Sequence, residues 1–124
     1  MNAMQTPELK RGPDVRLRMG KDHFSVKPAT LNAWLDEGSV FLVDVREPHE
    51  FERDRIAGAF LVSMSRFDPD TFPRISGLKT VLVSEQGPRS SALTERLADA
   101  GFADVFSLDG GLAAWREAGL ELDD

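Results

Sequence analysis

A chain of 124 residues and 13.7 kDa, 41% hydrophobic and 29% charged, has the size of one domain and the balance of a globular protein with a single core. It is too apolar for disorder and lacks the apolar run of about 20 residues that a membrane span requires. It holds no Cys, which excludes disulfides, thiolate metal sites and a Cys nucleophile. The net charge of −6 is uneven: residues 1–21 carry Lys10, Arg11, Arg16, Arg18 and Lys21 against Glu8 and Asp14, a head of +3 that leaves −9 for the body, so neither nucleic acid nor a membrane is an expected partner.

Residues 1–22 are polar and punctuated by Gly and Pro, the composition of a basic, flexible N-terminal extension. Residues 1–20 contain no apolar stretch of secretory-signal length, so the cytoplasm is the expected location. The domain proper is expected over residues 23–122. It opens on a short extended piece at 24–26, and Pro28 then suits the first position of a helix, where its missing N–H is not needed. Leu31, Trp34 and Leu35 mark the buried face of that helix and Gly38 its end. Residues 40–45 are mostly apolar, rich in β-branched side chains and too few for a helix, which predicts a strand buried on both faces. Residues 80–84 and 105–108 repeat the pattern, and each is followed by a helical one. The first of these helices spans 89–100, with Ala92, Leu93 and Leu97 inward. The second spans 112–118, with Leu112 and Trp115 inward. Buried strands alternating with helices predict an α/β fold, a mostly parallel sheet covered on both faces, whose ligands sit beyond the carboxyl ends of the strands. Those ends are residues 44–47 and 84–89.

The second of these is the more informative. Ser84, Glu85, Gln86, Gly87, Pro88, Arg89 and Ser90 join a buried strand directly to a helix N-terminus. Successive N–H groups in such a loop form a concave nest that binds anions, and Gly87 permits the backbone conformation this needs. Pro88 removes one donor, Arg89 adds a cation, and whatever stands at position 84 faces the bound anion. The other reading of the same residues, a plain strand-to-helix turn, stands beside it.

Two further blocks flank this loop. Asp44-Val45-Arg46-Glu47-Pro48-His49-Glu50-Phe51 runs on to Ile56-Ala57-Gly58-Ala59, and Gly101-Phe102 and Val105 lead to Leu108-Asp109-Gly110-Gly111-Leu112-Ala113-Ala114-Trp115. Together, in this order and spacing, the three blocks resemble a single rhodanese-like domain over residues 24–122. The resemblance implies a rhodanese-like three-layer fold with a five-stranded, mostly parallel sheet. It also implies a sulfurtransferase that moves sulfane sulfur from thiosulfate or a persulfide to a thiol or protein acceptor, with no metal and no organic cofactor. By the same resemblance, position 84 carries the sulfur as a Cys persulfide, and Arg89 and the loop residues Glu85, Gln86, Gly87, Pro88 and Ser90 hold the anion. Asp44 and Arg46 are implied as a supporting ion pair. The loop length is similar to that of the sulfurtransferases and one residue short of the related phosphatases.

The chain departs from the family at the decisive position, where Ser84 replaces the cysteine. A serine hydroxyl stays protonated near neutral pH and cannot form a persulfide, so no sulfur transfer is expected with Ser84. Two readings stay open: an engineered Cys-to-Ser replacement that disarms an otherwise complete sulfurtransferase, and a naturally inactive module that keeps the nest to bind an anion or a partner. Asp54-Arg55-Ile56 replaces the family's Gly-His-Ile, and Glu85 is expected to repel a dianionic donor such as thiosulfate. A serine hydrolase would need a base, and the only histidines, His23 and His49, read as surface residues with no strained Gly-x-Ser-x-Gly turn around Ser84. Two distant His give no metal-site spacing. Asp68 and Asp70 read as a solvated turn, Trp34 and Trp115 as core, and Asp123-Asp124 as a tail.

Overall fold

Each apolar run of the sequence becomes a strand whose alternate side chains enter opposite layers. The computed structural model describes residues 15–17 and 24–124. Its elements are β1 (Val15–Leu17), β2 (Phe24–Val26), α1 (Pro28–Glu37), β3 (Val40–Asp44), α2 (Pro48–Arg53), β4 (Phe60–Leu61), a 3-10 turn (Met64–Arg66), β5 (Lys79–Val83), α3 (Pro88–Asp99), β6 (Val105–Leu108) and α4 (Gly111–Glu117). One sheet runs β1-β2-β6-β5-β3-β4. Its last five strands are parallel, as expected, and β1 pairs antiparallel with β2 at the edge. β1 falls in the stretch read as an extension, because three residues carry too little pattern to announce a strand. The rest of residues 1–22, and His23, lie outside the described residues. β4 supplies the fifth strand from only two residues, again too few for a readable period.

Both faces of the sheet are covered. Leu42, Val81, Val83, Phe106 and Leu108 face Leu31 and Trp34 of α1 and Leu112 and Trp115 of α4. Phe41, Val43, Leu82 and Val105 face Leu93 and Leu97 of α3, with Phe67, Phe72 and Phe102 beside them. The alternation is the two-residue period of a strand, and burial on both sides explains why these strands read as continuous apolar runs. Trp34 and Trp115 lie in the core as expected; the Trp34 ring meets Phe106 edge-on, with centroids 5.1 Å apart. The C-terminus differs from the tail that was expected. Leu120 and Leu122 pack on the α1/α4 layer, and Arg55 and Asp123 exchange two backbone hydrogen bonds of 2.9 and 2.7 Å, so Asp123 is pinned by its apolar neighbours. Among the described residues, no helix is long and apolar enough to cross a membrane.

The register places the site. Asp44 stands beside Val83 across β3 and β5, and the Val45 N–H donates to the Val83 carbonyl at 2.9 Å. Arg46 and Ser84 therefore follow side by side at the carboxyl end of the sheet.

Candidate active site

Four residues, 84–87, separate β5 from α3, and Pro88 and Arg89 already belong to the first helical turn. Ser84 has no exposed surface. The N–H groups of Gly87 and Ser90 both donate to its Oγ, at 3.2 and 3.1 Å. The Ser84 hydroxyl donates in turn to Ser90 Oγ at 3.1 Å, and that hydroxyl donates to the Gly87 carbonyl at 2.9 Å. The side-chain atom of residue 84 is thus the focus of the nest. With serine there, two of the nest's donors are spent on a neutral oxygen. A thiolate at the same point would receive the same two N–H bonds and, after rotation of one hydroxyl, a third from Ser90. His49 is exposed on α2, and among the described residues the hydrogen-bond partners of the Ser84 hydroxyl are Gly87 and Ser90, neither of them a base.

Helix α4 turns the loop inside out. The N–H groups of Leu112 and Ala113, in its first turn, donate to the carbonyls of Ser84 and Glu85, both at 2.9 Å. With those carbonyls drawn outward, the loop N–H groups are left facing inward. Gly87 completes the turn at φ +106°, a conformation that a Cβ opposes. Gly111, noted in the sequence only as part of the third block, is the residue that lets α4 approach this closely, since a Cβ there would run into the Ser84 and Glu85 carbonyls.

Arg46 is the largest fully buried side chain among the described residues. Its Nε lies 3.0 and 3.1 Å from the two Asp44 carboxylate oxygens, and its Nη2 lies 2.8 Å from Asp44 Oδ2. Nη2 also donates to the Asp54 carbonyl at 2.6 Å, and Nη1 to Asp54 Oδ1 at 3.3 Å. Burial works against the guanidinium charge, but the hydrogen bonds and charges of Asp44 and Asp54 outweigh it and raise the Arg46 pKa. Arg46 also comes within 3.7 Å of Glu85, whose carboxylate is ion-paired with Arg116 of α4. Arg116 holds Asp54 as well, at 2.9 Å, and these hydrogen bonds with Glu85 and Asp54 raise its pKa. The charge of Glu85 is therefore partly offset by cations behind the loop, although its carboxylate still lines the cleft beside Arg89. The carboxylate that faces the loop cation is Glu50: Arg89 lies 3.4 Å from Glu50 Oε2, and the Glu47 N–H fixes Glu50 Oε1 at 3.0 Å. Glu50, Ser84, Glu85, Gln86, Pro88 and Arg89 line a cleft of about 340 Å³. Arg116, Asp54 and Glu50 had no assigned role in the sequence reading. Asp54 was visible as a departure from the family's Gly-His-Ile, whereas Arg116 had no signal.

The carboxyls of Glu50 and Asp54 both sit below the usual range. Burial alone would raise them. For Glu50 the Glu47 N–H and Arg89 reverse this, and for Asp54 the hydrogen bonds from Arg116 and Arg46 do. A carboxyl whose pKa is depressed on folding adds stability above its unfolded pKa and loses it as pH falls through the folded value. Stability is therefore expected to fall below about pH 4. Asp54→Asn should flatten that fall in urea melts taken between about pH 4 and 2; an unchanged slope would remove Asp54 from the linkage.

Elsewhere, the Asp70 N–H bonds Asp68 Oδ1 at 2.9 Å in an exposed turn. Among the described residues, no group of three or more His, Asp or Glu side chains is arranged to hold a metal ion.

Residues 27–118 match the family described as Rhodanese-like domain. The uncharacterized protein slr1261 of Synechocystis sp. is 38% identical over 77% of this chain and 54% of its own length, so the chain spans about half of that relative. The thiosulfate sulfurtransferase GlpE of Shewanella oneidensis is 35% identical over 64% of this chain and 79% of GlpE. The crystal structure of a rhodanese-related protein from Thermoplasma volcanium superposes with a TM-score of 0.70 at 27% identity, covering 80% of this chain and 96% of that one. With the parallel sheet, the loop at its carboxyl end and these relatives in agreement, the chain belongs to the rhodanese-like family and is related to thiosulfate sulfurtransferases.

Proposed function

We propose that this fold is a sulfurtransferase domain whose sulfur carrier is residue 84, and that Ser84 holds it inactive. The observation that carries the reading is the convergence of the Gly87 and Ser90 N–H groups on the side-chain atom of residue 84, the arrangement that lowers a thiol pKa and then holds a persulfide. With cysteine at this position the thiolate attacks the outer sulfur of the donor. The donor S–S bond breaks, sulfite or a thiolate leaves with the bonding pair, and the sulfur remains on residue 84 until an acceptor thiolate attacks it in the same way. Ser84 keeps its proton, donates it in a hydrogen bond to Ser90 Oγ, and has no sulfur chemistry to offer. In this reading Arg89 and residues 85–88 and 90 hold the anion. Asp44 and Arg46 set the strand end against which the loop rests.

The test is donor loading of Ser84→Cys beside the Ser84 protein, with thiosulfate and a persulfide as donors and cyanide or a dithiol as acceptor. The expected result is turnover by Ser84→Cys only, with a mass gain of about 32 Da at residue 84. A Ser84→Cys protein that remains silent and unmodified would sink the reading and favour a binding role for the loop.

A further inference from the structure

We propose that Glu50 is a specificity-determining residue, which directs the cleft away from dianionic thiosulfate and toward a persulfide carried on an organic thiol of low net charge. This inference rests on the sulfurtransferase reading above. Three charged side chains line the cleft, and two of them are carboxylates, Glu50 and Glu85, against one guanidinium, Arg89. An anion entering the nest would ordinarily meet Arg89 first, but both Nη atoms of Arg89 already face the Glu50 carboxylate, at 3.5 and 3.4 Å. Glu50 is not free to swing aside. The Glu47 N–H holds one of its oxygens, its side chain is only 17% exposed, and it remains ionised at neutral pH.

The cations behind the loop do not replace Arg89. Arg46 is enclosed by Asp44 and Asp54, and Arg116 is shared by Glu85 and Asp54. Four carboxylates and three guanidiniums therefore make up the charge of the site. A dianion must enter against a net negative neighbourhood in a partly desolvated cleft, where charges act more strongly than in water. A protonated persulfide R–S–S–H meets no such barrier. With cysteine at position 84, the thiolate attacks its outer sulfur, the S–S bond breaks, R–S⁻ leaves with the bonding pair, and the outer sulfur stays on residue 84 with its proton. No oxidant or reductant is needed.

The experiment measures the second-order rate of sulfur loading, by the mass gain at residue 84, for Ser84→Cys and Ser84→Cys/Glu50→Gln with thiosulfate and with cysteine persulfide. For Ser84→Cys the persulfide is expected to load at least about tenfold faster than thiosulfate. Glu50→Gln should speed loading from thiosulfate by about tenfold and leave the persulfide rate within about threefold. Equal rates for the two donors in Ser84→Cys, or a parallel change of both rates in the double variant, would overturn the role of Glu50 while leaving the sulfurtransferase reading intact. Loading by neither donor would overturn that reading, and the inference with it.

Discussion

Replacing Arg46 with methionine is expected to destabilise the protein by about 3–5 kcal/mol, the range for removing one partner of a buried ion pair. The cause is the carboxylate left behind. Asp44 is 1% exposed, and three of its four donor contacts come from the Arg46 side chain, the fourth being the Arg46 backbone N–H at 3.0 Å. Methionine fills much of the volume but offers no N–H, so Asp44 is stranded at the end of β3 and the Asp54 carbonyl loses its 2.6 Å donor. Against a total stability of about 5–15 kcal/mol this is a large share, and the loop loses the cation nearest Glu85 in the interior. The sign reverses for the pair. Arg46→Met combined with Asp44→Asn removes the stranded charge, and should be more stable than Arg46→Met alone by at least about 1 kcal/mol, because the ion pair itself is close to break-even against neutral groups of similar volume. Urea melts of the Ser84 protein, both single variants and the double variant form the cycle, with an unchanged m-value as the check that the unfolded reference is common. A single-variant cost under about 1 kcal/mol, or a double variant no better than Arg46→Met, would show that Asp44 is solvated or re-partnered and that Arg46 is not the hub of the strand end.

The parts of this network differ in how far the sequence reveals them, and the reason is distance along the chain. The strands were readable because burial on both faces makes runs such as residues 40–45 mostly apolar, and Asp44 and Arg46 were readable because they stand two positions apart inside one motif. Their complete burial was not readable, since nothing local distinguishes a buried arginine from a surface one. Glu85 was visible as an acid in an anion-binding loop, and from that alone repulsion of a dianion followed. Its partner Arg116 lies 31 residues further on, and Arg116 meets Asp54 62 residues back, so only the packing of α4 against the loop brings the three together. β1 and β4 failed differently: strands of three and two residues contain at most one period, and neighbouring strands, not propensity, define them. Gly110 and Gly111 were quoted as part of a motif with no physical task attached. The task of Gly111 appears only when the carbonyls it must pass are in place.

Gly111→Ala tests that task, and it is expected to cost about 3–4 kcal/mol, from a strained backbone of about 1–2 and two lost hydrogen bonds of about 1 each. The φ of Gly111 is +65°, and a Cβ built there would stand 2.5 Å from the Ser84 carbonyl oxygen and 2.6 Å from that of Glu85. Both contacts are to backbone, so no side chain can give way. Either α4 retreats or the loop does, and in both cases the 2.9 Å bonds from the Leu112 and Ala113 N–H groups to these carbonyls are broken. The carbonyls are then no longer drawn outward, and the Gly87 and Ser90 N–H groups lose their common focus on residue 84. Gly119 provides the comparison. It also has a positive φ, +76°, but open space where its Cβ would go, so Gly119→Ala should show only the backbone strain, about 1–2 kcal/mol. The difference between the two variants isolates the close approach of α4. In the Ser84→Cys background, Gly111→Ala should lower sulfur loading by at least about tenfold, whereas Gly119→Ala leaves it near unchanged. Amide hydrogen exchange of Leu112 and Ala113 should accelerate in the Gly111 variant alone, because their acceptors are the displaced carbonyls. Equal stability costs for the two glycines, or protected amides at 112 and 113 in Gly111→Ala, would mean that the loop holds its shape without α4.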